Sequence, residues 1–256
     1  MEQQHDIDGR KSILEARNLT LMWENMPIVE DLSLALEPGE IACLVGKSGT
    51  GKSTIFHALA GLSMPAKGQV LLDGRDISGV PGHISYMLQK DLLLPNLSVV
   101  DNTALPLVLA GQSRESARAK AASYFETFGL SGSEDLWPAQ LSGGMRQRAA
   151  FLRTYLMGSS VVLLDEPFSA LDAITRAELR SWFLETAAQL ELSVLLVTHD
   201  VDEALALGER VIVLTGAPMQ GVPSRIAGEI LVPQIDVGRM DPAVLDALKQ
   251  EILSAL

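Results

Sequence analysis

The chain has 256 residues, 47% apolar and 20% charged, which allows one large α/β unit or two modest ones with a buried core. Its formal net charge of −12, from 20 basic and 32 acidic residues, argues against a nucleic-acid-binding surface. With Cys43 as its single cysteine it can form no internal disulfide, which suits a reducing compartment; Cys43 reads as a small buried residue.

Residues 1–11 are polar and mixed in charge, without the apolar core of a signal peptide, and read as a loose tail. Residues 12–23 and 28–36 read as strands, with Asn25-Met-Pro27 as a turn. Glu37-Pro-Gly-Glu40 turns the chain into a third strand, 41–45. That strand runs into Gly46-Lys47-Ser48-Gly49-Thr50-Gly51-Lys52-Ser53-Thr54, which fits G-x-x-x-x-G-K-[ST] at every fixed position. Residues 54–60 can continue as a helix up to Gly61. Strand, glycine loop and helix together are the context that separates a phosphate loop from an ordinary Gly/Ser turn. The glycines let successive backbone N–H groups converge on a phosphate, and the helix start adds a positive dipole end. Lys52 supplies a charge for the outer phosphates and Ser53 a hydroxyl ligand for Mg²⁺.

Residues 68–74 and 84–88 read as further strands, the second ending at Gln89. The most apolar region, 92–110, is broken by Pro95, Asn96, Asp101, Asn102 and Pro106. No run reaches the roughly 18 apolar residues of a spanning helix, so the chain is expected to be soluble by itself, which does not oppose docking onto a membrane protein. Residues 99–128 are helical in pattern, with a helix opening on Ser113 and stopping at Gly129, and another is expected from Ser142 to Met157. This block, between Gln89 and Ser160, reads as an insertion. Alternation then resumes: strand 161–164, helix 173–190, strand 193–198, helix 201–207, strand 210–214. Such alternation implies a mostly parallel sheet with helices on both faces. From Gly216 the tail reads as irregular or a β-hairpin. It closes in an amphipathic helix capped by Asp241, with Pro242 first and Leu245, Leu248, Ile252 and Leu256 on the face expected to pack on its own domain.

The apolar run 161–164 ends in Asp165 and Glu166. In an open parallel sheet ligands sit beyond the carboxyl ends of strands, and an acid buried there is costly without a cation. Asp165 is therefore expected to hold Mg²⁺ through water, and Glu166 to polarise the attacking water; the alternative is a solvated strand end. In Leu141-Ser142-Gly143-Gly144-Met-Arg-Gln-Arg148, Ser142 can cap a helix and the glycines leave its first N–H groups exposed. This is a second anion-binding helix start, and one nucleotide does not need two from the same lobe.

Taken together, these strings resemble the nucleotide-binding subunit of ATP-binding-cassette (ABC) transporters over roughly residues 12–215. The resemblance implies a P-loop NTPase of α/β class. It would have a mostly parallel core sheet, an antiparallel β N-terminal subdomain, an α-helical subdomain inserted at about 92–158 and a C-terminal extension, 216–256. Ser142, Gly143 and Gly144 fall in the family's signature motif. Gln89 matches the glutamine that contacts metal and attacking water at the interface with the membrane subunits. Asp172, closing Ser169-Ala-Leu-Asp172, matches the loop bridging two subunits. His199, in Val197-Thr-His-Asp200, matches the switch histidine at the γ-phosphate. Trp23 lies where the family stacks an aromatic on adenine, whereas Trp137 and Trp182 read as packing residues; His5, His57 and His83 gain no role.

The resemblance further implies ATP and Mg²⁺ as cofactors, with Lys52, Gln89, Glu166 and His199 as catalytic residues. It implies a homodimer with two ATPs at its interface, two membrane permease subunits, an extracytoplasmic solute-binding protein reached through the permease, and a place on the cytoplasmic face of the membrane. The segments 165–172 and 197–204 resemble bacterial importers. Tyr86-Met-Leu-Gln89-Lys-Asp-Leu-Leu-Leu-Pro95, with the tail helix after Arg239-Met-Asp-Pro242, resembles the nitrate/sulfonate/taurine group and its aminopyrimidine relatives. Gly208-Glu-Arg210 and Leu152-Arg-Thr154 depart from the usual importer strings. A rival likeness, to lipoprotein-releasing and macrolide-type exporters, rests on residues 93–102 with Leu105-Pro-Leu107, although those usually carry Thr where Phe168 stands. A non-transport ABC ATPase is a third class.

Overall fold

The computed structural model describes residues 12–233 and 241–256; the expected tail at 1–11, with His5, and Arg239 and Met240 lie outside the described residues. The chain opens with strands β1 (Leu14–Trp23), β2 (Met26–Leu36) and β3 (Ile41–Gly46), followed by helix α1 (Lys52–Leu59). Strands β4 (Lys67–Leu72), β5 (Arg75–Asp76) and β6 (Ser85–Met87) come next. Helices α2 (Val99–Leu109), α3 (Arg114–Ala122) and α4 (Gly143–Tyr155) separate β6 from β7 (Val161–Asp165). Then α5 (Ala173–Gln189), β8 (Ser193–Thr198), α6 (Val201–Leu207) and β9 (Arg210–Ala217) alternate. The chain closes with β10 (Val222–Leu231) and α7 (Pro242–Ala255).

One ten-stranded sheet runs in the order β5-β4-β1-β2-β10-β9-β3-β8-β7-β6. Strands β9, β3, β8, β7 and β6 pair in parallel, while β1, β2, β4 and β5 pair antiparallel. The apolar runs of the parallel strands are continuous because both faces are covered. In β3, Ile41, Cys43 and Val45 enter one core and Ala42 and Leu44 the other; β7, β8 and β9 alternate in the same way. Helices α2, α4, α5, α6 and α7 cover the first face, and α1 the second. Cys43 is fully buried, and burial, with Glu203 adding to it, pushes its thiol pKa up and leaves it inert.

Register places the site. Val45 lies opposite Thr198, and Asp165 opposite Val197. The phosphate loop, the acid pair and His199 therefore leave the sheet at one edge.

The structure moves several boundaries. Met26 and Pro27 already belong to β2, so the first turn is Glu24-Asn25, with Glu24 in the left-handed region at φ 53°. The helix opening on Ser113 ends at Ala122. Beyond it Tyr124 and Phe125 bond back only three residues, a tighter winding that buries Phe125 and Phe128 before Gly129 stops the segment. Helix α4 stops at Tyr155. Trp137 is 48% exposed and so only half packed, whereas Trp182 sits among Phe128, Phe151 and the Arg148 guanidinium, 4.8 Å from its ring centre. Of the two readings of the tail, the hairpin holds: β10 pairs antiparallel with β9, which runs on to Ala217, past the boundary at 215. The last helix packs on its own chain through a fully buried Ile252, with Leu245, Leu248 and Leu256 beside it and Lys249 Nζ 2.7 Å from Asp202 of α6. Among the described residues no helix is long and apolar enough to cross a membrane.

Candidate nucleotide site

Gly46 ends β3 and starts the loop. A Cβ there would lie 2.9 Å from Thr50 Oγ1 and 3.0 Å from the Leu214 carbonyl oxygen. Gly51 has φ +85°, and a Cβ on it would meet Ile28 Cγ2 at 2.5 Å, so the strained turn and the close approach both require glycine. Thr50 Oγ1 donates to the Lys47 carbonyl at 2.8 Å and closes the loop on itself. Helix α1 then begins at Lys52 with no side chain capping it, so its N-terminal dipole faces the loop. The buried Lys52 Nζ donates to the carbonyls of Gly46 (2.7 Å) and Lys47 (3.0 Å). Burial lowers its pKa, and Glu166 and Asp165 oppose that shift.

Asp165 ends β7 in a buried position. Its Oδ2 accepts from Ser53 Oγ at 3.2 Å and from the Tyr86 hydroxyl at 3.3 Å. Desolvation raises its pKa, and those two hydrogen bonds pull it back. A buried carboxylate beside a serine hydroxyl offers the hard oxygen donors that a divalent cation takes.

Glu166 turns the chain out of the strand. Its backbone sits at φ 46°, a left-handed conformation rare outside glycine, and its N–H donates to the Val197 carbonyl at 2.9 Å. The turn sends its carboxylate away from Asp165 toward two loop residues. Gln89 Nε2 donates to Glu166 Oε2 at 3.2 Å, and His199 Nδ1 lies 3.1 Å from the same oxygen. Ser169 Oγ donates to the Glu166 carbonyl at 2.9 Å and lies 3.4 Å from Gln89 Nε2. Three loops, after β6, β7 and β8, thus meet at one carboxylate.

The cleft over the loop has a volume of about 440 Å³. Its polar lining comes from Ser48, Lys52, Ser53, Thr54, Asp165 and Glu166, and its apolar lining from Trp23, Met26, Ile28 and Met219. Trp23 is 66% exposed, a high value for an indole.

Ser142, Gly143, Gly144 and Asp172 are not among the residues lining that cleft. They form a second cluster. Ser142 Oγ accepts from the Met145 N–H at 3.2 Å and caps α4. A Cβ on Gly143 would sit 3.1 Å from Leu171 Cδ2, and one on Gly144 3.2 Å from Thr175 Cγ2. Asp172 caps α5, accepting from the Thr175 N–H (3.0 Å) and hydroxyl (2.7 Å), bonds that hold its carboxyl below the usual range.

Two contributors escape a reading of the motifs. Tyr86 stands in the sequence only as the first residue of the string that runs to Pro95, with no role at the site. Strand parity could have found it: Tyr86 pairs with Leu163, two residues before Asp165 and on the same face. Met219 carries no motif at all.

The family model described as ABC transporter matches residues 29–169. The formylaminopyrimidine import ATP-binding protein of Halalkalibacterium halodurans is 43% identical over 195 residues, 76% of each chain. An aliphatic sulfonates import ATP-binding protein of Rhodococcus jostii is 40% identical over 234 residues, 91% of this chain and 89% of its own. Among solved structures, a dimeric ATP-binding cassette in a post-hydrolysis state bound to ADP and Pi has a TM-score of 0.71 and 26% identity. It covers 87% of this chain and 100% of that one.

Proposed function

The chain belongs to the ABC transporter family as an ATP-binding, ATP-hydrolysing subunit, and from that membership we propose that it powers uptake of a small solute through two membrane permease subunits on the cytoplasmic face of a membrane. Residues 12–215 would carry the ATPase, with a helical subdomain at about 92–158, and residues 216–256 an extension. The observation that carries the reading is the carboxylate of Glu166, met by Gln89 and His199 beside the phosphate loop. Import is favoured over release because the relatives named above are import subunits. Their names give formylaminopyrimidine and aliphatic sulfonates, which supports a small organic cargo; an extracytoplasmic binding protein would deliver it to the permease.

The phosphate loop and the start of α1 bind the triphosphate, and Lys52 meets its outer oxygens. Trp23 stacks on the base. Ser53 and Asp165 fit Mg²⁺: both are oxygen donors, and the buried Asp165 has no cationic side chain bonded to it among the described residues. Among the described residues no three His, Cys, Asp or Glu side chains converge as a metal cage, so the ion fits as one shared with phosphate oxygens. When bound, Mg²⁺ would neutralise charge on the β- and γ-phosphates. Glu166 orients the attacking water and takes up its proton, Gln89 holds that carboxylate in place, and His199 steadies the γ-phosphate.

Ser142, Gly143 and Gly144 of a second copy close over the γ-phosphate, because the same copy's cluster does not line its own cleft. ATP then favours the closed homodimer by touching both halves only there. The solved relative is itself dimeric.

The permease contact is read from a groove of about 500 Å³ beside Gln89, lined by Leu88, Leu92, Leu94, Leu109, Met157 and others. Those five residues are 40–78% exposed, a contiguous apolar surface that a membrane subunit's cytoplasmic segment would cover. Arg153 of α4 donates to the carbonyls of Asp91 and Leu92, so the helix that starts at the signature also grips the wall of this groove. Leu92→Asp with Met157→Asp is expected to leave ATP hydrolysis by the isolated subunit within twofold. Co-purification with the membrane subunits expressed beside it, and ATP-dependent uptake into proteoliposomes, should be lost. Retained co-purification and uptake would remove the groove from the interface.

Tyr86→Phe deletes one hydrogen bond to Asp165 and little volume. It is expected to raise the Mg²⁺ concentration for half-maximal hydrolysis by about three- to tenfold, the scale of one typical net hydrogen bond, with ATP binding in EDTA unchanged. A Mg²⁺ titration of phosphate release checks this, and an unshifted midpoint would leave Tyr86 a packing residue only.

A further inference from the structure

We infer that Met219, on the turn between β9 and β10, is a nucleobase-contacting residue that forms the wall of the base site beyond Trp23. The inference rests on the reading of the cleft as an ATP site and extends it to the tail, to which neither the motifs nor the family match assigns a part.

A lone exposed methionine is ordinary on a protein surface. Met219 is 81% exposed, yet it lines the same cleft as Trp23, Met26, Ile28 and the phosphate loop. None of these four apolar side chains offers a strong hydrogen-bond acceptor. A planar aromatic guest satisfies such a lining through its faces and edges, and a polarisable thioether makes a favourable contact with an aromatic ring.

The turn is held in place and does not merely hang over the cleft. Pro218–Gln220 forms a single tight turn ended by Gly221 at φ 80°. Gly216 at φ +144° lets the hairpin close, since a Cβ there would lie 2.5 Å from Ser224 Cα. Ser224 pairs with Val29 of β2, and Arg225 of β10 bonds to Glu30 of β2. The turn is thereby fixed to the strand that supplies Met26 and Ile28 to the same cleft. Trp23 comes from the end of β1, across the hairpin turn from Met26. Two hairpins, one from each end of the chain, therefore frame the base.

The test compares a ligand that has a base with one that lacks it. Binding of ATP and of inorganic tripolyphosphate is measured by calorimetry in EDTA on the full chain. The variants are Met219→Ala, Met219→Leu and Trp23→Ala, with circular dichroism as a check on folding. Met219→Ala is expected to weaken ATP by about three- to tenfold, the scale of one sulfur–aromatic contact, and to leave tripolyphosphate unchanged. Met219→Leu, which keeps the apolar bulk, should recover most of that loss. Unchanged ATP affinity in Met219→Ala, with a loss in Trp23→Ala, would overturn the inference and leave the ATP site standing. Unchanged ATP affinity in both would overturn the inference together with the base site. An equal loss for tripolyphosphate would also overturn it, because the turn would then act through the phosphate loop.

Discussion

Glu166→Gln is expected to keep ATP binding and lose about 10²- to 10⁴-fold in hydrolysis, the contribution of a positioned general base. Gln89 Nε2, which donates to Glu166 Oε2, can be met by an amide oxygen in the same place, and so can the contact with His199 Nδ1, 3.1 Å away. The amide nitrogen then takes the other position, where it cannot accept a proton from water. The backbone strain at φ 46° is common to both side chains, so folding should be unaffected. With hydrolysis blocked and binding intact, ATP should accumulate in a stable dimer. Phosphate release and size-exclusion chromatography with ATP and Mg²⁺ measure the two halves of the expectation. Turnover within tenfold of the unmutated chain would remove Glu166 from the role of base.

Gly143→Asp tests the other half of the site. The new carboxylate stands at the first position of α4, where the helix dipole tolerates an anion, and its Cβ presses only on the end of the Leu171 side chain. The fold should therefore survive, with a melting temperature within a few degrees of the original. On the two-copy reading, a negative charge there would oppose the γ-phosphate of the ATP held by the second copy. Turnover is expected to fall by about 10² or more, the scale of losing a preorganised set of donors. ATP-driven dimerisation in a Glu166→Gln background should disappear. ATP binding by the monomer should remain, since Gly143 lies outside the cleft that holds the loop. Loss of monomer binding, seen by equilibrium dialysis, would place the signature and the loop in one lobe's pocket and end the two-copy reading.

The groups of the candidate site were legible wherever they come from one continuous stretch. The phosphate loop is backbone N–H groups, a lysine and a serine within nine residues, so spacing alone specifies it. Asp165 and Glu166 were legible because four apolar residues lead straight into two acids. Helix starts were legible where a cap marks them, as at Ser113, Ser142 and Asp241, and helix ends were misplaced where only packing sets the limit, as after Ala122.

By itself, then, the sequence determined the family, the glycine loop between β3 and α1, the acid pair and the alternation of strands and helices, because each is encoded in local spacing and apolar period. Only the tertiary structure decided which distant groups share the site. Tyr86 and Asp165 meet across 79 residues because β6 pairs with β7. Met219 stands by Trp23 because β10 inserts between β2 and β9. Strand order and register are fixed by burying two faces of one sheet at once, a non-local condition that no spacing within a single segment records.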